Sequence, residues 1–279
     1  MIRKTWQPDK WLLISQVEHA RVAGLMAASW NFPGRKPHRD VIHAIAQHEA
    51  GWRGFDESPA LNAAGDPLDH TEAAPDIVAP LWTASTRHLE GEDKQYGARV
   101  VGAYYTRMAR DNQNLARLST RSVVAIGRFI GAESVALQRF LAAAARNGTM
   151  NEASTVFEDS PAAAAEPAGH ADPLANLADD LRLLQVCDTL SLLLCSDFTG
   201  EAVIRDVPYM AEGDTLTVTR GGDGKMAMTI SPLPFRKNLR DHVTGVPVPR
   251  RAYASQDELC ELHASAKPLV VEWHIGTPG

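Results

Sequence analysis

No run of apolar residues in the sequence approaches the roughly 20 needed to cross a bilayer, so no membrane partner is expected. Positive charge is in deficit: 28 Lys and Arg face 34 Asp and Glu, a formal net charge of −6. That leaves no basic footprint for nucleic acid and nothing to draw the chain to an anionic surface. Cysteine is scarce, and Cys187, Cys195 and Cys260 fit neither a zinc knuckle nor a redox CxxC. They read as buried thiols in a reducing compartment, and the expected location is cytoplasmic. The basic opening segment MIRKTWQPDKW has no apolar stretch after it and does not read as a signal peptide. What is present is ordinary globular usage, 44% hydrophobic and 22% charged residues over a 279-residue chain. That is enough for a sizeable core without disulfide or structural metal, and long enough for about two domains.

The first fifteen residues predict a short hairpin, IRKTW and WLLIS around Gln7-Pro8-Asp9. Helices are expected over Gln16–Trp30, His38–Trp52, Asp76–Leu89, Lys94–Asp111, about 119–146 and Pro173 to about Phe198, with a loop over 54–75. The stretch 149–172 contains SPAAAAEPAG and reads as a mobile surface loop. After Gly200 the apolar period shifts from 3.6 to 2. AVIRDV, TLTVTR, KMAMTI and PLVVEWHI are β-rich, Gly221-Gly222-Asp223-Gly224 is a hairpin signal, and a short helix fits Ser255–Ala266. The division expected is a hairpin at 1–15, a helical domain at 16–198 and a β-rich lobe at 199–279.

The informative residues are polar ones on apolar helix faces. Gln16, His19, Ala23, Met26 and Trp30 share one face of the first helix, and Val41, Ile45, His48 and Trp52 share one of the second. Glu49 follows His48, and on an unbroken helix the two side chains diverge by about 100°. Asp188 lies in LRLLQVCDTLSLLLC, apolar on nearly every side, where a carboxylate must be paired, hydrogen-bonded or bound to metal. Each residue taken singly has an ordinary structural explanation: a satisfied core histidine, a polar helix end, a buried hydrogen bond. Their order is what points to a site.

A histidine, then adjacent histidine and acid, then a distant aspartate resembles the HD-domain superfamily of metal-dependent phosphohydrolases and related diiron oxygenases. Glu49 stands where that superfamily usually has aspartate. The words Gln16-Val-Glu-His19-Ala-Arg-Val-Ala-Gly24, His48-Glu49-Ala-Gly51-Trp52, Cys187-Asp188-Thr-Leu-Ser191 and Pro232-Leu-Pro-Phe235 are similar to an uncharacterised bacterial family, a domain of unknown function. The resemblance implies a mainly α fold, an HD-domain-like helical bundle with a small C-terminal β-rich lobe that the N-terminal hairpin could join. It implies His19, His48, Glu49 and Asp188 as ligands of a divalent metal, Mn, Fe, Mg or Zn. His70 or His88 would serve as general acid or substrate contact, and Gln16, Trp52, Arg53 and Tyr105 would line the substrate pocket. Tyr105 stands where a further histidine ligand often occurs, which favours one metal over two. The expected activity is hydrolysis of a small phosphorylated or related substrate. An iron oxygenase and a non-catalytic binding protein that keeps the fold are the alternatives.

Overall fold

The computed structural model describes residues 1–34, 36–111, 118–147, 173–210, 213–222 and 224–278. The Ala/Pro-rich loop expected at 149–172 lies outside them. The chain opens with the expected hairpin, β1 (Ile2–Gln7) and β2 (Lys10–Ile14). Helices α1 (Gln16–Ser29), α2 (Arg39–Gln47), α3 (Arg53–Glu57), α4 (Pro75–Gly91), α5 (Gln95–Asp111), α6 (Thr120–Asn147) and α7 (Pro173–Cys195) follow. Strands β3 (Gly200–Ile204), β4 (Leu216–Arg220), β5 (Ala227–Ser231) and β6 (Leu239–Pro249), helix α8 (Gln256–Ser265) and strand β7 (Leu269–Gly276) complete it.

The strands form one curled sheet of seven in the order β1-β2-β6-β7-β5-β4-β3, antiparallel except where β5 meets β7. This overturns the expected HD-like helical bundle with a small β lobe: the fold is α with a substantial mixed sheet, drawn from both ends of the chain. An isolated two-stranded hairpin is marginal in water, and here β2 pairs with β6 from Lys10↔Pro249 to Leu13↔Val246. Strand β6 is the element the sequence hid. Its polar stretch Arg240-Asp241-His242 and its Pro247 and Pro249 mask the buried Leu239, Val243 and Val248, whose spacing is not a plain alternation. Without it the hairpin and the later strands look like separate pieces.

Helices α1, α2, α5 and α7 pack in a closed circuit, α1 on α2 and α7, and α5 on α2 and α7, while α4 and α6 pack outside α5. Ser15 caps α1 by accepting from Glu18 N at 3.0 Å, and Glu18 in turn accepts from Thr244 N of β6 at 2.8 Å. The start of α1 is thereby fixed to the sheet. Gly24 allows α1 to meet α2 closely, since a Cβ there would fall 2.4 Å from that of Ala46. At the far end, Trp30 stacks edge-on against Phe235 and Asn31 N donates to Pro234 O, so Pro232-Leu-Pro-Phe235 is a structural clasp.

Helix α7 buries Leu183, Leu184, Val186, Cys187, Leu190, Leu194 and Cys195. Its C-terminal carbonyls are capped from both arms of the curled sheet. Lys4 Nζ of β1 donates to Ser196 O at 2.8 Å, and Arg220 Nη1 of β4 donates to Leu193 O at 2.7 Å and Ser196 O at 2.8 Å. Two cations at a helix C-terminus suit both the free carbonyls and the dipole. The sheet thus holds the helix that carries Asp188.

The segment 54–75 is not all loop. It contains α3 and a single 3-10 turn, His70–Glu72, closed by Asp69, whose carboxylate accepts from Thr71 N and Arg3 N. Burial works against the charge of Asp69, yet contact with His70 and these backbone donors holds its carboxyl below the usual range. A depressed carboxyl contributes stability above its unfolded pKa and loses it as pH falls toward the folded value. Asp69→Ala should therefore cost about 1–2 kcal/mol at pH 7, with the difference from wild type shrinking below about pH 4. Urea unfolding across that range measures it.

Candidate metal centre

The four sides of the helical circuit each contribute to one buried cluster. From α1 comes His19, from the end of α2 His48 and Glu49, from α5 Tyr104 and Tyr105, and from α7 Asp188 and Ser191. All are buried. The expected helix 38–52 does not run through: α2 ends at Gln47, His48 is its C-cap, and Glu49 leaves helical geometry at φ −102°, ψ 18°. A 3-10 turn over Ala50–Trp52 follows. The cause is Gly51, whose backbone lies against α4 and whose N–H donates to Ser85 Oγ at 3.0 Å. Glu49 Oε1 comes 3.8 Å from His48 Nε2 although the two side chains leave neighbouring positions of the chain.

Both imidazoles are oriented by their outer nitrogens. His48 Nδ1 lies 2.7 Å from Ile45 O, a carbonyl that can only accept, so Nδ1 carries the proton. Ser191 Oγ donates to Asp188 O at 2.8 Å and so accepts from His19 Nδ1 at 2.9 Å. In the neutral rings the lone pair is then on Nε2, facing the centre. This is the arrangement that metal-binding histidines use, with the second ring N–H held by protein. His19 Nε2 has no hydrogen-bond partner.

The facing atoms are spaced as ligands are. His48 Nε2 is 3.0 Å from Asp188 Oδ1, His19 Nε2 is 3.8 Å from the same oxygen, and Glu49 Oε1 is 4.0 Å from His19 Nε2. Donors about 2.1 Å from one ion, at right angles to opposite, are roughly 3.0–4.2 Å apart. His19, His48 and Asp188 each offer a ligand atom, and these atoms lie within 4.8 Å of one another. Two imidazoles and carboxylate suit a borderline divalent ion.

Without metal, Asp188 is compensated by protein. Its Oδ1 bonds His48 Nε2, and its Oδ2 accepts from Tyr104 OH at 2.6 Å. Burial opposes the charge on both partners, but their mutual hydrogen bond and attraction raise the His48 pKa and lower that of Asp188. Burial depresses the His19 pKa despite the nearby Glu49 and Asp188, keeping that ring neutral.

Of the residues the sequence singles out, His19, His48, Glu49 and Asp188 are brought together. His70 and His88 are not with them. His70 sits at the 3-10 turn, 3.1 Å from Asp69, its backbone tied to Met1 O. His88 is partly exposed on α4, 3.5 Å from Glu92. Each has its own carboxylate, so neither is placed for acid catalysis here. Arg53 is exposed at the start of α3, beside a cleft of about 410 Å3. Tyr105 donates to His48 O at 2.7 Å and so supports the ligand loop from behind rather than facing a substrate. Periodicity could not separate it from Tyr104, the tyrosine that reaches Asp188. Ser191, three residues after Asp188, was likewise missed, although i,i+3 spacing on α7 gives it the same face. Tyr104→Phe should lower metal affinity about 10–100-fold, the usual effect of losing an outer-shell partner, and equilibrium dialysis against Mn measures this.

The model of a family described as "Protein of unknown function (DUF3891)" matches residues 1–249. No curated protein and no solved structure matches.

Proposed function

The chain belongs to the DUF3891 family, whose description assigns no activity, and from its site we propose a metal-dependent hydrolase of a small phosphorylated or related substrate. The observation that carries this reading is the pair of imidazoles with anchored Nδ1–H groups, each with Nε2 within 4.0 Å of Asp188 and Glu49. His19, His48, Asp188 and Glu49 would hold one divalent ion, Mn, Fe, Mg or Zn. Such an ion supplies Lewis acidity and lowers the pKa of a coordinated water. Burial by the four helices keeps bulk water out, which strengthens every charge interaction inside. The two carboxylates divide the work. Both oxygens of Asp188 are committed, to His48 and Tyr104, whereas Glu49 Oε2 has no partner. Glu49 is therefore the group with an oxygen free to take a proton from an attacking water.

The set of two histidines and one carboxylate also serves mononuclear iron oxygenases, which makes that the second reading. A two-iron version would need further ligands, and His70 and His88 lie elsewhere. Protein purified without chelator should carry about one divalent ion per chain and hydrolyse p-nitrophenyl phosphate, lose that activity to chelation and regain it with Mn. Hydrolysis that survives chelation contradicts the proposal. Oxygen uptake with Fe and no hydrolysis supports the second reading, and metal held with neither turnover identifies a binding protein.

A further inference from the structure

Among the described residues, four buried side-chain polar atoms without a hydrogen-bond partner belong to two facing turns: Gln16 Nε2, His19 Nε2, Glu49 Oε2 and Trp52 Nε1. Gln16 precedes His19 by one turn of α1. Trp52 closes the 3-10 turn that begins at Glu49, its backbone N–H on Glu49 O at 3.0 Å. The two turns are in contact, and Gln16 N donates to Asp56 Oδ2 at 2.6 Å, which brings α3 against the start of α1. Gln16 is 1% exposed and Trp52 3%.

A cation accounts for His19 Nε2 and Glu49. It does not satisfy the indole N–H of Trp52 or the NH2 that Gln16 turns inward, because both are donors and are repelled by positive charge. Leaving such groups buried without an acceptor costs about 1–3 kcal/mol each. What satisfies them must present oxygen. We infer that Gln16 Nε2 and Trp52 Nε1 form an oxyanion-binding subsite beside the metal, holding a non-bridging oxygen of a phosphate-like group. A cleft of about 410 Å3, walled by Ser15, Val17, Glu18, Arg53, Asp56 and Glu57, adjoins these turns, and Gln16 and Trp52 lie behind its wall rather than in it. Oriented N–H donors beside a cation are a common means of binding anionic oxygen.

This inference rests on the metal reading, so its test measures metal and anion separately. Trp52→Phe keeps an aromatic ring against Phe55, which the indole meets edge-on at 5.6 Å, and removes the N–H together with part of the indole. Gln16→Met keeps length and removes the amide. Mn binding is followed by electron paramagnetic resonance, and inorganic phosphate binding to the Mn-loaded protein by calorimetry. The expected result is unchanged Mn affinity in both variants, with phosphate affinity reduced about tenfold in each. Phosphate binding equally to wild type and variants, or to none of them while Mn is held, overturns the donor subsite and leaves the metal reading standing. Failure of wild type to bind Mn overturns both.

Discussion

Asp188→Asn should abolish metal binding, and metal-dependent hydrolysis with it, while the metal-free protein changes in stability by less than about 1 kcal/mol. The asparagine can keep both contacts seen for the carboxylate. Its amide N–H can donate to neutral His48 Nε2, and its oxygen can accept from Tyr104 OH, the two partners that Asp188 has at 3.0 and 2.6 Å. Only the anionic ligand is lost, and that loss should exceed the 10–100-fold of an outer-shell partner. In wild type, an ion at a hundred times its Kd should add about 2.7 kcal/mol to unfolding. Thermal melts of both proteins, each with and without Mn, read this directly. A wild type with no metal-dependent shift, together with strong destabilisation of metal-free Asp188→Asn, would make Asp188 a structural hydrogen-bonding residue and remove the enzyme reading.

Gly51→Ala should be the most damaging small substitution in the core, at about 3 kcal/mol or more. A Cβ there would fall 2.1 Å from Leu81 O and 2.7 Å from Ser85 N, backbone atoms of α4 that no rotamer change can move aside. The turn that separates Glu49 from α2 depends on this contact, so metal affinity should fall along with stability. Gly54→Ala is the control: a Cβ at Gly54 meets nothing within 4 Å, and the change should stay within about 0.5 kcal/mol. Comparable urea midpoints for the two variants would show that the close approach of Gly51 to α4 is unimportant.

The candidate ligand set is legible because it consists of polar residues on apolar helix faces, where burying them needs a reason. His19 on α1 and Asp188 on the nearly all-apolar α7 are the clearest cases, and the structure buries both. Helix ends set by tertiary contact were not legible. The stop at Gln47 depends on Gly51 meeting α4, a segment some thirty residues away in sequence, and local propensity favours continuing to Trp52. The sheet was underestimated for a similar reason. Strand β6 is held by β2 on one side and β7 on the other, and partners so distant override a polar, proline-bearing sequence. The resemblance points to His70 and His88, but it carries no information about where this fold places them. Tyr104 and Tyr105 show the same limit at finer scale, since adjacent residues of one buried helix stretch cannot be told apart by periodicity.

Titration of the metal-free chain with Mn, followed by electron paramagnetic resonance, tests most directly whether His19 and His48 jointly hold a divalent ion. Wild type should bind about one ion per chain with modulation from two imidazole nitrogens, and the His19→Ala, His48→Ala double variant should bind none at this site. Equal binding by wild type and double variant, or a bound ion without imidazole nitrogen coupling, would contradict joint binding by the two.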